Sequence, residues 1–248
     1  MKFQTAISDI RRDGTEIIRG YKLTDLIRGV SFTETIFLIL KGELPTPAQT
    51  KMMNAIFTAV VDHGPGTPSA QCARISASAK NDLHASVAAG LLGLGGRHGA
   101  VVEPAMKFFY DNIDELDLAV LLRTMKEKKQ YAPGFGHKIF TVDPRAQTLF
   151  DIAKETGVYG KYAEFAEKVE TVLNSTASKK LPLNADGAIA ALLCDLGFDA
   201  RVGDGIFVIA RVPGLVAQVV EEIISGEGIR RVEPEEIEYN GSSERNLI

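Results

Sequence analysis

The chain is poor in residues that several common classes of protein depend on. Its 248 residues include no tryptophan, two cysteines and four histidines. Cys72 and Cys194 are too few for a disulfide framework, and neither belongs to a CxxC pair. The segment MKFQTAISDIRRDG has no apolar signal core, and Arg211 and Pro213 interrupt the most apolar stretch. We therefore expect a cytoplasmic protein with no membrane span and no structural disulfides.

The charge pattern and the missing motifs exclude further classes. The net charge is −4 without any basic block, so we expect no nucleic-acid partner. The segment GLLGLGGRHGA places His98 where GxGxxG has its last glycine, and it follows a helical pattern, which argues against a dinucleotide fold. P-loop, HExxH and GxSxG motifs are absent, and no cluster of carboxylates or cysteines supports a metal site.

Local signals predict a mainly α protein with a small N-terminal β-hairpin. The hairpin turn is Asp13-Gly14, between two short mixed runs. Ser31 with Glu34 forms a capping box, and Gly42 ends the helix that follows. Further helices are expected from Thr46 towards Val61, over 101–128 with a break near 112–114, from Asp143-Pro144, and over 161–174, 187–197 and 205–224. We expect one catalytic unit over 1–248, with a smaller part at 130–205, and an extended segment at IEYNG.

Residues 77–94 are rich in alanine and glycine, and the pattern predicts a helix. Such a helix permits close packing against another helix, either within the subunit or across a two-fold interface. The second alternative predicts a homodimer or a higher homo-oligomer. His84, which lies in this stretch, is interpreted as a packing residue.

The other three histidines lie in glycine-rich turns far apart in the chain. They are His63 in VDHGPG, His98 in GGRHGA and His137 in APGFGHKIF. Imidazole changes protonation near neutral pH, and glycine lets a ligand approach the backbone. Each could be an ordinary polar turn residue, but the three together predict one acid/base site.

Two arginines stand at unusual positions. Arg211 lies in the apolar helix IFVIARVPGLVA, where a guanidinium needs an anion, either an Asp or Glu of the fold or a ligand carboxylate or phosphate. Arg145 falls in the first turn of a helix, where cations oppose the helix dipole. It is either a solvated surface residue or it holds an anion together with the helix amino terminus.

Asp186 precedes an apolar helix in LPLNADGAIAALL, and two interpretations stay open. It is an N-cap, which would lower its pKa, or a poorly solvated carboxylate with a raised pKa that is suited to proton transfer. The lysine pair Lys179-Lys180 is either a solvated turn or a contact for the phosphates of a nucleotide-bearing ligand.

Five segments in order resemble the citrate synthase superfamily, over nearly the whole chain. They are residues 19–46, GGRHGA, PGFGHKIFTVDPRA, LNADG and IFVIARVPGLVAQ. Within the superfamily, VDHGPG…CAR and DGIFVIAR look closest to citryl-CoA lyases and to the citryl-CoA-cleaving module of ATP-citrate lyase. The resemblance implies a compact citrate-synthase-like helical fold.

The resemblance also implies catalytic roles. His98 would hydrogen-bond the thioester oxygen and stabilise an enolate. His137 would exchange a proton with the oxygen on the tertiary or keto carbon. Asp186 would be the acid/base at the methyl carbon of acetyl-CoA.

Binding roles follow in the same way. His63, Arg145 and Arg211 would bind carboxylates of oxaloacetate or of the citryl group. Coenzyme A would enter as an acyl-CoA substrate or product, with no metal. The residues implied in holding it are Ala132, Pro133, Gly134, Phe135, Gly136, Lys138, Lys179 and Lys180.

Three departures from the superfamily pattern stand out. Gln218 occupies a position where synthases often carry a histidine. The RPR motif near the carboxyl terminus is incomplete in IRRVEPEEIEYNG, so Arg230 or Arg231 matches only in part an arginine lent by a neighbouring subunit. The segment at His63 has GPG where many synthases have an acidic residue.

The resemblance implies a citryl-CoA lyase, which yields acetyl-CoA and oxaloacetate. One alternative is a citrate or 2-methylcitrate synthase that condenses acetyl-CoA or propionyl-CoA with oxaloacetate. The other is a non-catalytic CoA-binding subunit of a larger complex. A separate citryl-CoA-forming enzyme, a citryl-CoA synthetase, is an expected partner of the lyase.

Overall fold

The computed structural model describes residues 2–137, 141–177 and 179–246, and these are mainly helical. This confirms the expected mainly α class with a small N-terminal sheet. The strands are β1 Ser8–Ile10, β2 Glu16–Ile18 and β3 Tyr21–Lys22. The α-helices are α1 Leu23–Gly29, α2 Phe32–Lys41, α3 Pro47–Ala59, α4 Pro68–Ser78, α5 Leu83–Leu92, α6 Val102–Asn112, α7 Leu118–Glu127, α8 Pro144–Thr156, α9 Lys161–Thr176, α10 Ala185–Asp195 and α11 Gly203–Ser225.

The predicted hairpin forms around Asp13-Gly14 and gains a third strand. β1 pairs antiparallel with β2, and β2 pairs antiparallel with β3. In the turn, the Gly14 amide donates to the carbonyl of Arg11 at 2.9 Å, and Gly14 has a φ of 82°, which glycine adopts readily.

The capping signals mark helix starts where the sequence places them. The hydroxyl of Ser31 accepts the Glu34 amide at the start of α2, and the Glu34 carboxylate accepts the Ser31 amide. Gly42 ends this helix in the left-handed conformation. Thr46 and Gln49 form the same reciprocal cap on α3. These contacts span three residues, so the chain can encode them locally.

Two sequence-based expectations are wrong. Residues 77–94 are not one helix, because α4 ends at Ser78 and Lys80 adopts a φ of 66° before α5 begins. His84 is exposed on α5 and is not a packing residue. The tail contains a short 3-10 helix at Pro234–Glu236, and Ile237, the first residue of the expected extended segment IEYNG, has extended backbone angles.

The chain divides into two compact units, and the division falls within α11. The first unit contains residues 1–63 and 94–213, and the second contains 64–93 and 214–248. The first unit holds the larger core, in which α10 is almost wholly buried. The proposed smaller part at 130–205 lies inside the first unit and stays a prediction. In the part of the chain that the structure describes, no helix has the length and apolar character needed to cross a bilayer.

In the second unit, α4 packs closely on α5 at Gly90. A Cβ on Gly90 would lie 3.0 Å from both the Ser69 carbonyl oxygen and the Ala73 Cβ, so glycine permits the close approach. Leu215 and Val219 complete a small apolar cluster with these helices. At this contact the small residues of α4 and α5 pack against each other inside the subunit. The homo-oligomer stays a prediction.

A buried ion-pair network ties the tail of the second unit to its helices. The Glu222 carboxylate, whose side chain is 1% exposed, accepts from Arg74 Nε at 2.8 Å and from Arg230 Nε at 2.6 Å. Arg74 also donates to Gln218 Oε1 and to Glu221 Oε1. The hydrogen bond from Arg230 lowers the pKa of Glu222, and the charges of both arginines lower it further.

We expect Glu222→Ala to lower the free energy of unfolding by about 2 kcal/mol, because two arginines lose a shared buried acceptor. Glu221→Ala removes an exposed partner of Arg74. This variant should change the free energy of unfolding by less than about 0.5 kcal/mol. Since the pKa of Glu222 is lowered in the fold, its contribution is complete above the ordinary glutamate pKa and is lost on acidification. Urea titrations at pH 7 and pH 4 test this; equal effects of the two variants would contradict it.

Candidate active site

The loop that carries His137 is hydrogen-bonded to the amino terminus of α10. The Gly136 amide donates to the Pro182 carbonyl at 2.7 Å, and the Asn184 amide donates to the Gly134 carbonyl at 3.0 Å. The Asn184 side chain also donates to the carbonyl of Gly136 at 3.0 Å. These bonds bring the histidine loop to the first turn of the helix that contains Asp186.

Two glycines allow this approach. Gly134 has a φ of 86° and contacts Gly187 directly. A Cβ on Gly187 would overlap with the Gly134 carbonyl oxygen and with the Leu183 side chain. Gly134 and Gly187 are therefore required by one backbone contact between two segments that are distant in sequence.

Asp186 is not the N-cap of α10. Asn184 is the cap, since its side-chain oxygen accepts the Gly187 amide at 3.0 Å. Asp186 occupies the second helical position, where the surrounding protein excludes most of the water that would solvate its carboxylate. This desolvation raises the pKa of Asp186, although the charges of Arg145 and Arg211 act in the opposite direction. The interpretation as a poorly solvated carboxylate therefore agrees with the structure.

His98 lies in a tight turn before α6. The Gly95 amide donates to the His98 carbonyl at 2.7 Å, and the His98 amide donates back to the Gly95 carbonyl at 2.8 Å. The half-buried ring has a lowered pKa, first through desolvation and then through the charges of Arg211 and His63. A neutral imidazole is favoured, which can donate one hydrogen bond without a net charge.

His63 follows α3 and is exposed. Desolvation is still the largest cause that lowers its pKa, followed by the charges of Arg145, Arg211 and His137. The nearby carboxylate of Asp143 acts in the opposite direction. Cationic groups therefore outweigh the Asp143 carboxylate among the charges that act on His63.

Arg211 is buried on α11 and is 3% exposed. Its Nε donates to the Val60 carbonyl at 2.8 Å, and its guanidinium lies 4.9 Å from the ring centroid of Phe207. Among the described residues, its Nη1 has no hydrogen-bond partner. Desolvation lowers the pKa of Arg211, while the carboxylates of Asp62 and Asp186 raise it.

Arg145 is half-buried at the start of α8 and pairs with Asp143. Its Nη2 lies 2.8 Å from the Asp143 carboxylate, and its Nε lies 3.0 Å from it. The interpretation as a freely solvated surface arginine is therefore wrong. The sequence indicates Asp143 only as the start of a helix; the signal for its second role is an acidic residue two positions before a suspected anion-binding arginine.

The six residues suspected in catalysis and substrate binding act on one another electrostatically. The charges of Arg145, Arg211 and His137 lower the pKa of His63. The charges of His63 and Arg211 lower the pKa of His98. The charges of both arginines act to lower the pKa of Asp186. All six belong to the first unit, so the fold assembles them from separate turns and helices into one charged neighbourhood.

A cavity of about 470 Å³ adjoins the loop before His137. Ala132 and Phe135 line it together with residues of α7 and α9 and with Leu181. Lys179 and Lys180 immediately precede Leu181 and are exposed. Lys138 lies outside the described residues. In the described part of the chain, no group of three or more His, Cys, Asp or Glu side chains is arranged to hold a metal ion.

Comparison with known proteins identifies the family. The family described as citrate synthase, C-terminal domain, matches residues 45–232, which is most of the chain. The chain belongs to the citrate synthase family. Its candidate site residues, from His63 to Arg211, all lie within the matched part.

Two solved structures resemble this citrate synthase family member closely. Citryl-CoA lyase from Hydrogenobacter thermophilus is 42% identical with a TM-score of 0.93, and the match covers 99% of this chain and 97% of that one. ATP citrate lyase from Methanothrix soehngenii, solved in complex with citrate and coenzyme A, is 27% identical with a TM-score of 0.90. That match covers 98% of this chain and 42% of the other.

A curated family relative is longer than this chain. The probable ATP-citrate synthase of Dictyostelium discoideum is 30% identical over 220 residues, which are 82% of this chain and 35% of that protein. The chain thus spans about a third of the length of this relative.

We expect Gly187→Ala to destabilise this family member by about 1–3 kcal/mol, because the added methyl group overlaps with the Gly134 backbone. Gly205→Ala is the matched control: nothing lies within 4 Å of its Cβ position, and alanine favours a helix by about 1 kcal/mol. Chemical denaturation of both variants measures the difference. A Gly187→Ala protein as stable as the Gly205→Ala control would contradict the proposed backbone contact.

Proposed function

We propose that this chain is a citryl-CoA lyase that cleaves citryl-CoA to acetyl-CoA and oxaloacetate. The observation that carries the proposal is a carboxyl with a raised pKa, Asp186, in the same charged neighbourhood as a buried arginine, Arg211, whose Nη1 has no protein partner among the described residues. Similarity to a citryl-CoA lyase over nearly the full length of both chains supports the choice of reaction.

In the proposed reaction, His137 accepts the proton of the citryl hydroxyl group. The bond between the hydroxyl-bearing carbon and the acyl CH₂ carbon then breaks, and the hydroxyl carbon becomes the keto carbon of oxaloacetate. The electron pair of the broken bond forms the enolate of acetyl-CoA. Asp186 donates a proton to the enolate carbon, which becomes the methyl group. The thioester itself accepts the electrons, so the step needs no metal or redox cofactor.

The protonation states favoured in the fold suit this direction. A carboxyl with a raised pKa holds its proton at higher pH than an ordinary aspartate, as a proton donor must. A lowered pKa keeps the His98 ring neutral, so that it can donate a hydrogen bond to the enolate oxygen. A preorganised donor of this kind stabilises the charge that develops in the transition state by several kcal/mol.

The cationic groups would bind the carboxylates of the substrate. The Nη1 of Arg211 offers a buried donor to an anion, and charge-assisted hydrogen bonds of this kind are among the strongest in proteins. Arg145 and His63 would bind the remaining carboxylates from the start of α8 and the end of α3.

Coenzyme A would lie along the loop Ala132–Gly136. The cavity lined by Ala132, Phe135 and Leu181 is largely apolar in its lining residues and suits an adenine ring. Exposed Lys179 and Lys180 next to Leu181 would meet the phosphates. The ATP citrate lyase from Methanothrix soehngenii was solved in complex with coenzyme A, which supports coenzyme A as the ligand.

A citrate or 2-methylcitrate synthase is the alternative within the family, since the matched family is itself described as citrate synthase. It would use the same residues and add hydrolysis of the thioester. A non-catalytic CoA-binding subunit is less well supported, because binding alone needs neither Asp186 nor two histidines in the same neighbourhood. We further propose a cytoplasmic homodimer or higher oligomer that receives citryl-CoA from a separate synthetase.

Incubation of the purified chain with citryl-CoA separates these functions. A lyase yields acetyl-CoA and oxaloacetate, whereas a synthase yields mainly citrate and free CoA. Tight CoA binding without turnover of citryl-CoA or of acetyl-CoA with oxaloacetate would support the non-catalytic subunit.

We expect Asp186→Asn to lower citryl-CoA cleavage by at least about 100-fold, because an amide cannot donate the proton to the enolate carbon. CoA binding, measured by calorimetry, should stay near the wild-type value. In the wild type, cleavage should fall as the pH rises through the raised pKa of Asp186. Near-native turnover by Asp186→Asn would remove this residue from the mechanism.

We expect Arg211→Ala to weaken oxaloacetate binding by about 10- to 100-fold, which corresponds to the loss of one charge-assisted contact of about 1.5–3 kcal/mol. Binding of free CoA should change little, and titration calorimetry with each ligand measures both. Arg201→Ala is a matched control, because Arg201 is 80% exposed and pairs with Asp199. Unchanged oxaloacetate affinity in Arg211→Ala would instead assign Arg211 to an internal role.

A further inference from the structure

The carboxylate of Asp143 is fully buried and accepts four hydrogen bonds. Its Oδ1 accepts from the amide and from the Nε of Arg145, both at 3.0 Å. Its Oδ2 accepts from Arg145 Nη2 at 2.8 Å and from the amide of Ala185 at 3.0 Å. The side chain of Asp143 is 0% exposed, so these donors replace its water shell.

These bonds join two helix starts that are 40 residues apart in the chain. Arg145 belongs to the first turn of α8, and Ala185 is the first residue of α10, next to Asp186. A displacement of either helix start would break a charge-assisted hydrogen bond to a buried carboxylate, which is costly. The Asp143 carboxylate therefore fixes the position of Arg145 relative to that of Asp186.

The same contact fixes the orientation of the Arg145 guanidinium. Its Nε and Nη2 face Asp143. A bound substrate carboxylate would therefore meet the remaining N–H groups, which are those of Nη1 and the outer one of Nη2. An arginine held by two parallel hydrogen bonds loses little further side-chain freedom when a ligand binds.

We propose that Asp143 is a positioning residue for citryl-CoA cleavage: it holds the substrate-binding Arg145 and the acid/base Asp186 at a fixed separation through its bonds to Arg145 and to the Ala185 amide. The proposal rests on the proposed function for the roles of those two residues. Asp143 itself need not touch the substrate.

The charges around Asp186 provide a readout that packing alone would not alter. Four charged groups act on the pKa of Asp186: Arg145 of α8, Arg211 and Asp204 of α11, and Asp143. The negative charges of Asp143 and Asp204 raise the pKa of Asp186, and the two arginines lower it. Removal of the Asp143 charge should therefore lower the pKa of Asp186. The charge of Arg145, which Asp143 would no longer neutralise, lowers that pKa further.

The first test compares Asp143→Asn with Asp143→Glu and Asp151→Asn. Asp151 is exposed on α8, so its variant removes the same charge from the helix that Asp143 caps. We expect Asp143→Asn to lower kcat for citryl-CoA by about 10- to 100-fold, the usual effect of a small displacement of reacting groups. The falling limb of its pH profile should move to lower pH. Asp143→Glu keeps the charge and should lose rate without this movement, while Asp151→Asn should match the wild type.

The second test needs no activity. The Asp186 carboxyl is titrated by NMR in ¹³C-aspartate-labelled protein, with Asp186→Asn as the assignment reference. We expect its pKa to fall in Asp143→Asn, to rise in Arg145→Gln, and to stay unchanged in Asp151→Asn. If the wild type does not cleave citryl-CoA, the proposed function fails, and this titration still tests the link between Asp143 and Asp186.

Two results would overturn the proposal. One is a folded Asp143→Asn protein with wild-type kcat, pH profile and Asp186 titration. The other is loss of folding in both Asp143 variants, together with a folded Arg145→Gln protein in which the Asp186 titration does not change. That second result would assign Asp143 to stability alone.

Discussion

The contact between the Gly134 carbonyl and the first turn of α10 is the constraint on which the candidate site depends. It requires glycine at 134 and 187, and the side chain of Asn184 closes it by bonding to Gly136. Because His137 directly follows Gly136 and Asp186 lies two residues after Asn184, a single backbone approach brings an imidazole loop to a desolvated carboxyl. A larger residue at either glycine would separate the two.

Burial determines the charge states in this site more than any single pair does. Desolvation is the largest cause of the shifted pKa of Asp186, of His98 and of Arg211. It favours a protonated aspartate and a neutral histidine, while the arginine stays charged because its ordinary pKa is far above neutrality. The neighbouring charges then oppose or reinforce these shifts. Such a set of perturbed groups in one place is typical of a site for proton transfer.

The fold alone does not select a reaction, because lyases and synthases share it. What distinguishes them chemically is the fate of the thioester, which a lyase leaves intact and a synthase hydrolyses. The 42% identity to a citryl-CoA lyase over almost the whole of both chains weighs towards the first outcome. The role proposed for Asp143 is compatible with either reaction, since both need Arg145 and Asp186 in a fixed relation.

The sequence by itself determined what depends on neighbours a few residues apart: the Asp13-Gly14 turn, the capping boxes at Ser31 and Thr46, and the family motifs around the histidines. It did not show that Lys80 interrupts the helix predicted over 77–94, or that Asn184 and not Asp186 caps α10. The tertiary structure alone decided the desolvation of Asp186 and the bond of Asp143 to the start of α10. These depend on segments some 40 or more residues apart, and their energies exist only after the chain has packed and water has been excluded.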